Sequence, residues 1–477
     1  MLKGKINYLE TPILTNDMVM KKIFFTSLVS LISLLAVGQN KDEVQIKKIF
    51  DTALSHGQSY EMLEYLATQI GPRLSGSPGA AAAVEWSREV MTAYGFDSVW
   101  LQPVMVPHWV RGKKGVGRIV NSKKQGNIDV NICALGGSVG TGDGGISAQI
   151  VEVKNFEELK QLGTKNVQGK IVYFSRPMDP TLIDTFEAYG GASNQRGSGA
   201  AEAAKYGAVA AIVRSMGSNI EEYPHTGGMR YADGVPKIPG VAISTAHGDL
   251  LSSLLKEDKE LRLFIETHSQ ILEDVPSFNV VGELKGTEHP DEIIVVGGHL
   301  DSWDLAQGAH DDGAGCVQSI EVLRIFKEIG YKPKRSIRAV MFMNEENGLR
   351  GGTKYAELAK ANKEKHIGTI ESDRGGFTPR GFTMSATDKV KMKVRSWAPM
   401  LTPYGLTDFS KEGGGADIGP LGPQGVALFG FLPDSQRYFN YHHTEEDTFD
   451  KVDKRELELG AASMAALTYL IDQDGLR

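Results

Sequence analysis

Residues 293–301, Ile293-Ile294-Val295-Val296-Gly297-Gly298-His299-Leu300-Asp301, organise the reading of the rest of the chain. Four consecutive β-branched residues predict a strand buried on both faces, and two glycines then deliver a histidine and an aspartate. Downstream, Ala314 to Ile329 has the spacing of an amphipathic helix, and Ile337 to Met343 reads as a second apolar strand. Tyr355 to Ala361 reads as a second helix and Ile367 to Ile370 as a third strand. This alternation predicts a mostly parallel sheet covered on both faces, with any site just beyond the carboxyl ends of its strands.

Those strand ends carry unusual chemistry. In extended chain His299 and Asp301 point to the same face, a spacing at which a carboxylate can hold an imidazole tautomer. Gly308-Ala309-His310-Asp311-Asp312-Gly313 places consecutive carboxylates before the first helix. Asn344-Glu345-Glu346-Asn347-Gly348 follows the second strand, and its adjacent glutamates must diverge, so one can ligate while the other moves a proton. Glu371-Ser372-Asp373 ends the third strand, and Tyr441-His442-His443-Thr444-Glu445-Glu446-Asp447 forms a late loop. Taken singly, each is an ordinary solvated or hydrogen-bonded feature. Together they crowd carboxylates that would repel one another unless cations sit among them. Imidazole and carboxylate donors without thiolate suit a pair of divalent metals, Zn²⁺ first, with Mn²⁺ or Co²⁺ as substitutes.

Upstream, apolar positions from Asp42 to Ile70 recur at helical spacing. A turn-rich run, Gly71 to Gly79, leads to a helix over Ala80 to Tyr94 and a strand over Ser98 to Val106. Composition shifts near Gly112. Lys170 to Phe174, Gly199 to Tyr206 and Val209 to Val213 then read as strand, helix and strand of a small α/β module ending near Leu272. The glycine-rich run from Gly136 to Gly145 lacks the Gly-Lys-Ser/Thr of a phosphate-binding loop, and Gly197-Ser198-Gly199 lacks a third glycine, which argues against a nucleotide.

The 477 residues suffice for about three domain-sized units or for one large α/β enzyme carrying an inserted domain. Hydrophobic residues at 41% and charged residues at 23% exclude a disordered or fibrous chain. A net charge of −7 without a basic block excludes a nucleic-acid surface. Cys133 and Cys316 read as buried free thiols. Met20-Lys21-Lys22, the apolar run Ile23 to Val37 and Gly38-Gln39 have the layout of a secretory signal peptide, too short to span a bilayer. This predicts a secreted or periplasmic protein without stable membrane insertion, with residues 1–19 an upstream extension.

At its strand-end residues the chain closely resembles the M28 family of two-zinc exopeptidases, and within it the carboxypeptidase Q group. The match extends to Ile70-Gly71-Pro72-Arg73-Leu74-Ser75-Gly76-Ser77, Pro107-His108-Trp109-Val110-Arg111-Gly112, Gly199 to Arg214 and Pro224-His225-Thr226-Gly227. It continues through Gly234-Val235-Pro236-Lys237-Ile238-Pro239 and Gly298-His299-Leu300-Asp301-Ser302-Trp303-Asp304.

The resemblance implies a three-layer α/β/α mixed-sheet zinc exopeptidase core with an inserted protease-associated domain. Its segments would be a signal peptide over 20–38, the N-terminal part of the peptidase domain over 39–112, the insert over 113–272 and the metal-binding core over 273–477. It further implies two zinc ions per chain, with Asp311 bridging, His299 and Asp373 at one metal, and Glu346 and His443 at the other. Glu345 would be the general base and Asp301 the partner of His299, and the Asp311–Asp312 peptide is expected to be cis. The family pattern His-Ser/Thr-x-x-Asp favours His443 over His442. The implied substrate is a dipeptide or short peptide, cleaved by a homodimer whose insert acts as a lid or dimer-forming element. Aminopeptidase activity on the same core is the alternative, and a one-zinc glutaminyl cyclase relative or a non-catalytic binding relative are remote ones. Arg374, beside Asp373, reads as a structural or interdomain cation, and the Gly413 to Asp417 loop as either pocket wall or ordinary loop.

Overall fold

Two mixed sheets are built from β1 (Ser98–Val110), β2 (Val116–Ser122), β3 (Gly126–Val130), β4 (Ile132–Ala134), β5 (Ile146–Val153), β6 (Ile171–Phe174), β7 (Ala210–Arg214), β8 (Gly240–Ile243), β9 (Arg262–Glu266), β10 (Gln270–Leu284), β11 (His289–His299), β12 (Arg335–Phe342), β13 (Lys365–Glu371), β14 (Pro379–Ser385) and β15 (Ala427–Pro433). The structure is a computed structural model and describes residues 1, 4, 5 and 41–476. The expected signal peptide, and all but residues 1, 4 and 5 of the upstream extension, lie outside the described residues. A first unit ends at Lys47, and from Lys48 onward the chain forms one compact body.

The first sheet has the order β1-β10-β12-β11-β13-β15-β14. At its centre β11 pairs in parallel with β12 and β13, and β13 pairs in parallel with β15, whereas β1, β10 and β14 pair antiparallel with their neighbours. Of its helices, α1 (Lys41–His56) begins in the first unit, followed by α2 (Ser59–Tyr65) and α3 (Pro78–Ala93). In α3, Ser77 caps the N-terminus by accepting the Ala80 N–H, and Pro78 occupies the first turn.

The second sheet runs β3-β2-β9-β5-β6-β7-β8-β4 and is made only from residues 116–266. Its faces are covered by α4 (Phe156–Val167), α5 (Thr185–Ala204) and α6 (Thr245–Glu257). Ala200, Ala203 and Ala204 give α5 a small-residue face that packs near Phe174 and Val213, while Leu251, Leu254 and Leu255 of α6 pack with Ile171 and Ile212 on the opposite face.

The remaining helices, α7 (Ala314–Glu328), α8 (Arg350–Ala361), α9 (Asp388–Ser396), α10 (Ala398–Leu401) and α11 (Lys454–Asp474), belong to the first sheet's half of the molecule. There α7 and α11 pack against β11. On the opposite face, Tyr355, Ala356 and Ala359 of α8 join Ile293, Val295, Val340 and Phe342 in one core. The sheet is therefore covered on both sides, as its uninterrupted apolar strands demand.

Two elements differ from their sequence reading. β1 continues past Val106 to Val110 despite Pro107, because it is an edge strand whose register with β10 shifts between Val106 and His108, sparing the missing N–H. α11 lacks the amphipathic signature of a surface helix because it is buried nearly all round and rich in alanine.

Candidate metal centre

Register brings the carboxyl ends together. His299, the last residue of β11, lies opposite Phe342 of β12, so the Glu345–Glu346 turn falls beside it. Gly297 lies opposite Glu371, which brings Asp373 to the other side. Asp311 comes from the turn before α7, and His443 from the loop before α11.

His299 Nε2 is 3.2 Å from Asp311 Oδ1 and 3.4 Å from Asp373 Oδ1. His443 Nε2 is 3.3 Å from Asp311 Oδ2 and 3.1 Å from Glu346 Oε2. Asp311 thus presents one oxygen to each half of the cluster. His442 stacks on His443 at 3.5 Å, and its Nε2 is 3.8 Å from Asp311 Oδ2, farther than that of His443. Two donor groups, His299 with Asp311 and Asp373, and Asp311 with His442 and His443, are close enough to hold a metal ion each. The buried oxygens Asp311 Oδ2 and Glu346 Oε1 have no hydrogen-bond partner. Buried carboxylate oxygens left open in this way fit divalent cations, because unpaired they would be costly.

The support around these donors is built largely from main chain. His299 Nδ1 lies 2.8 Å from the Asp301 carbonyl oxygen, an arrangement that leaves Nε2 free for the cluster. This corrects the expectation that the Asp301 carboxylate holds that imidazole. The carboxylate instead accepts the N–H groups of Asn344 at 2.6 Å and Glu345 at 3.1 Å, fixing the glutamate turn. The extended spacing fails because β11 stops at His299 and the chain turns away.

Two further carboxylates that sequence reasoning did not assign have clear roles. Asp447 accepts the N–H groups of His310 and Asp311, and Asp312 accepts those of His299 and Gly315. Asp447 was visible only as the final residue of the His-Thr-x-x-Asp pattern. The Asp311–Asp312 peptide is cis. His443 has φ of +63°, a left-handed conformation that non-glycine residues rarely adopt. Thr226 N–H donates to the His443 carbonyl at 2.9 Å, and the Thr226 carbonyl lies 3.3 Å from His443 Nδ1.

A cavity of about 330 Å³ opens over the cluster, with Glu345, Glu346, Asp311, Asp373 and His443 in its wall. Phe186, Tyr189 and Arg196 of α5 form the opposite side. Nothing in the sequence near α5 marks them, since they meet the cluster only through folding. Burial, with Asp373 and Asp311 nearby, pushes the Glu345 carboxyl up to about 8. Burial, with His442 and Arg196 alongside, pushes His443 well down, leaving a neutral imidazole able to ligate. No helix among the described residues is long and apolar enough to cross a membrane.

The description Peptidase family M28 matches residues 279–468. Carboxypeptidase Q from Bos taurus is 35% identical over 417 residues, covering 87% of this chain and 86% of that protein. A crystal structure of a Peptidase M28 precursor from Shewanella amazonensis aligns with a TM-score of 0.86 at 33% identity, over 91% of this chain and 98% of that one. A zinc aminopeptidase from Bacillus subtilis shares the fold, with a TM-score of 0.62 at 21% identity over 86% and 94% of the two chains. Similarity that runs through the second sheet as well as the strands bearing the metal-type donors places this chain in peptidase family M28.

Proposed function

We propose that the chain is a secreted two-zinc exopeptidase of the carboxypeptidase or dipeptidase type, acting on dipeptides or short peptides. The observation that carries this reading is Asp311, whose two carboxylate oxygens face His299 on one side and His443 on the other. In this reading His299 and Asp373 hold one Zn²⁺, Glu346 and His443 hold the second, and Asp311 touches both. When bound, the zinc pair supplies Lewis acidity for the scissile carbonyl and lowers the pKa of the attacking water.

Glu345 takes the proton from that water as it attacks and delivers it to the leaving amine nitrogen. Its position supports the role: the main chain is pinned by Asp301, and the side chain lines the cavity beside Asp311 and Asp373. Asp301 acts by holding the Glu345 turn with its carboxylate and the His299 ring with its carbonyl. Residues 113–272 act as a protease-associated insert that closes over the site, supported by the α5 side chains that line the cavity. The protein works as a homodimer, exported by its N-terminal segment.

The test is hydrolysis by zinc-loaded enzyme of one dipeptide in free, N-acetylated and C-amidated forms, with a chelator control and a zinc count. Cleavage of the free form alone is expected. Cleavage of the amidated form makes it an aminopeptidase, a reading the fold of the Bacillus subtilis enzyme favours, and cleavage of the acetylated form makes it a carboxypeptidase. One zinc per chain with no peptide cut overturns the proposal.

A further inference from the structure

Arg374 follows the proposed ligand Asp373, yet it makes no hydrogen bond or salt bridge to any described residue. Its guanidinium carbon lies 4.3 Å from the ring centroid of Phe186, which α5 carries across from the second sheet. The aromatic ring takes one face of the cation and leaves the in-plane N–H fork unused. The residue is only partly buried, and none of its nitrogens is among the buried unpartnered atoms, so the fork reaches solvent.

That solvent occupies a second cavity, of about 320 Å³, which shares Phe186 and Asp373 with the cavity over the metal-type donors. Phe186 and Phe431 are its aromatic walls, and Gly414, Gly415 and Gly430 line it. The glycines are needed there: a side chain at Gly415 would collide with the Glu371 carboxyl, and one at Gly430 with the Gly414 carbonyl. The carboxylates nearest in the chain are committed elsewhere. Glu371 accepts the Ile418 N–H at 2.9 Å, and Asp373 faces His299. An apolar slot with one unengaged planar cation matches an aliphatic stem that ends in a carboxylate, since the fork can bind both oxygens at once.

We propose that Arg374 is a specificity residue that binds a carboxylate of the substrate in this glycine-lined cavity beside Asp373. The carboxylate is an acidic side chain next to the scissile bond or the free C-terminus. The assignment rests on the peptidase reading, and the test separates the two.

In zinc-loaded enzyme, kcat/KM is compared for Glu-Ala against Gln-Ala, Ala-Glu against Ala-Gln, and Ala-Ala against its C-terminal amide. At least one carboxylate-to-amide ratio is expected to be about tenfold or more, and the pair that shows it identifies the carboxylate. Arg374→Met brings that ratio to about one, Arg374→Lys keeps part of it, and Arg374→Glu inverts it. Ratios unchanged in all three variants overturn the proposal and leave Arg374 as a counter-charge to Asp373. Calorimetric titration of zinc-loaded protein with glutarate is run in parallel, with about tenfold weaker binding expected in Arg374→Met and Arg374→Glu. If wild-type enzyme cuts no peptide, the peptidase reading fails and the titration alone decides Arg374: equal binding in wild type and variants overturns its role.

Discussion

His299 and Asp301 are joined through main chain: the imidazole Nδ1 lies 2.8 Å from the Asp301 carbonyl, while the Asp301 carboxylate accepts the N–H groups of Asn344 and Glu345. One aspartate therefore ties the end of β11 to the turn after β12. Asp301→Asn keeps an acceptor oxygen for that turn and leaves the carbonyl in place. Its zinc affinity, measured by competition with a chelator, is expected to stay within about tenfold of wild type, the mild end of what such partners contribute. Asp301→Ala strands two N–H groups at about 1–3 kcal/mol each and should lose turnover more than zinc. A loss beyond about a hundredfold in zinc affinity for Asp301→Asn would mean that the carboxylate orients the ring after all.

Glu345→Gln removes the base and leaves the donor cluster intact. Turnover should fall by about 10²–10⁴-fold while both zinc ions are retained. The check is kcat alongside elemental analysis of the same preparation, and near-normal turnover in a fully loaded variant rules the role out.

His443 and His442 are separable by metal content. His443→Ala should retain about one zinc per chain after dialysis, and His442→Ala two, because His443 Nε2 lies closer to both Asp311 and Glu346. Chelation of the wild type should lower its melting temperature, since a site filled at a hundred times Kd contributes about 2.7 kcal/mol. The reverse pattern between the two variants would move the ligand assignment to His442.

Far from the cavity, Glu458 of α11 accepts hydrogen bonds from Ser59 and the Tyr60 N–H, and burial with Glu321 nearby raises its carboxyl from 4.5 to about 7. The folded state therefore holds this proton more tightly than the unfolded chain, and stability falls as pH rises from about 4.5 to 7. The rise corresponds to about 3 kcal/mol. Glu458→Gln should remove that component, so the melting-temperature difference between pH 5 and pH 8 narrows. An unchanged difference would show that other groups set the slope.

Much of the donor set was legible because strands buried on both faces write themselves as unbroken apolar runs, and a mostly parallel sheet collects whatever follows those runs. Ile293 to Val296, Ile337 to Met343 and Ile367 to Ile370 announced β11, β12 and β13, and the residues just beyond them form the cluster. The roles of Asp312 and Asp447 were not legible, since a carboxylate that binds main-chain N–H groups looks the same in sequence as one that binds a cation.

The sequence by itself determined the strand and helix alternation and the types of donor at the strand ends, because periodicity and residue chemistry are local properties. Only the tertiary structure decided which atom of Asp301 meets His299, since β11 ends at His299 and the alternation of faces ends with it. The same holds for Phe186, Tyr189 and Arg196, which reach the cavity from α5, and for Arg374, whose unused N–H fork is defined by what packs around it. Contacts between segments so distant in the chain depend on how the two sheets dock, and no local pattern of residues encodes that.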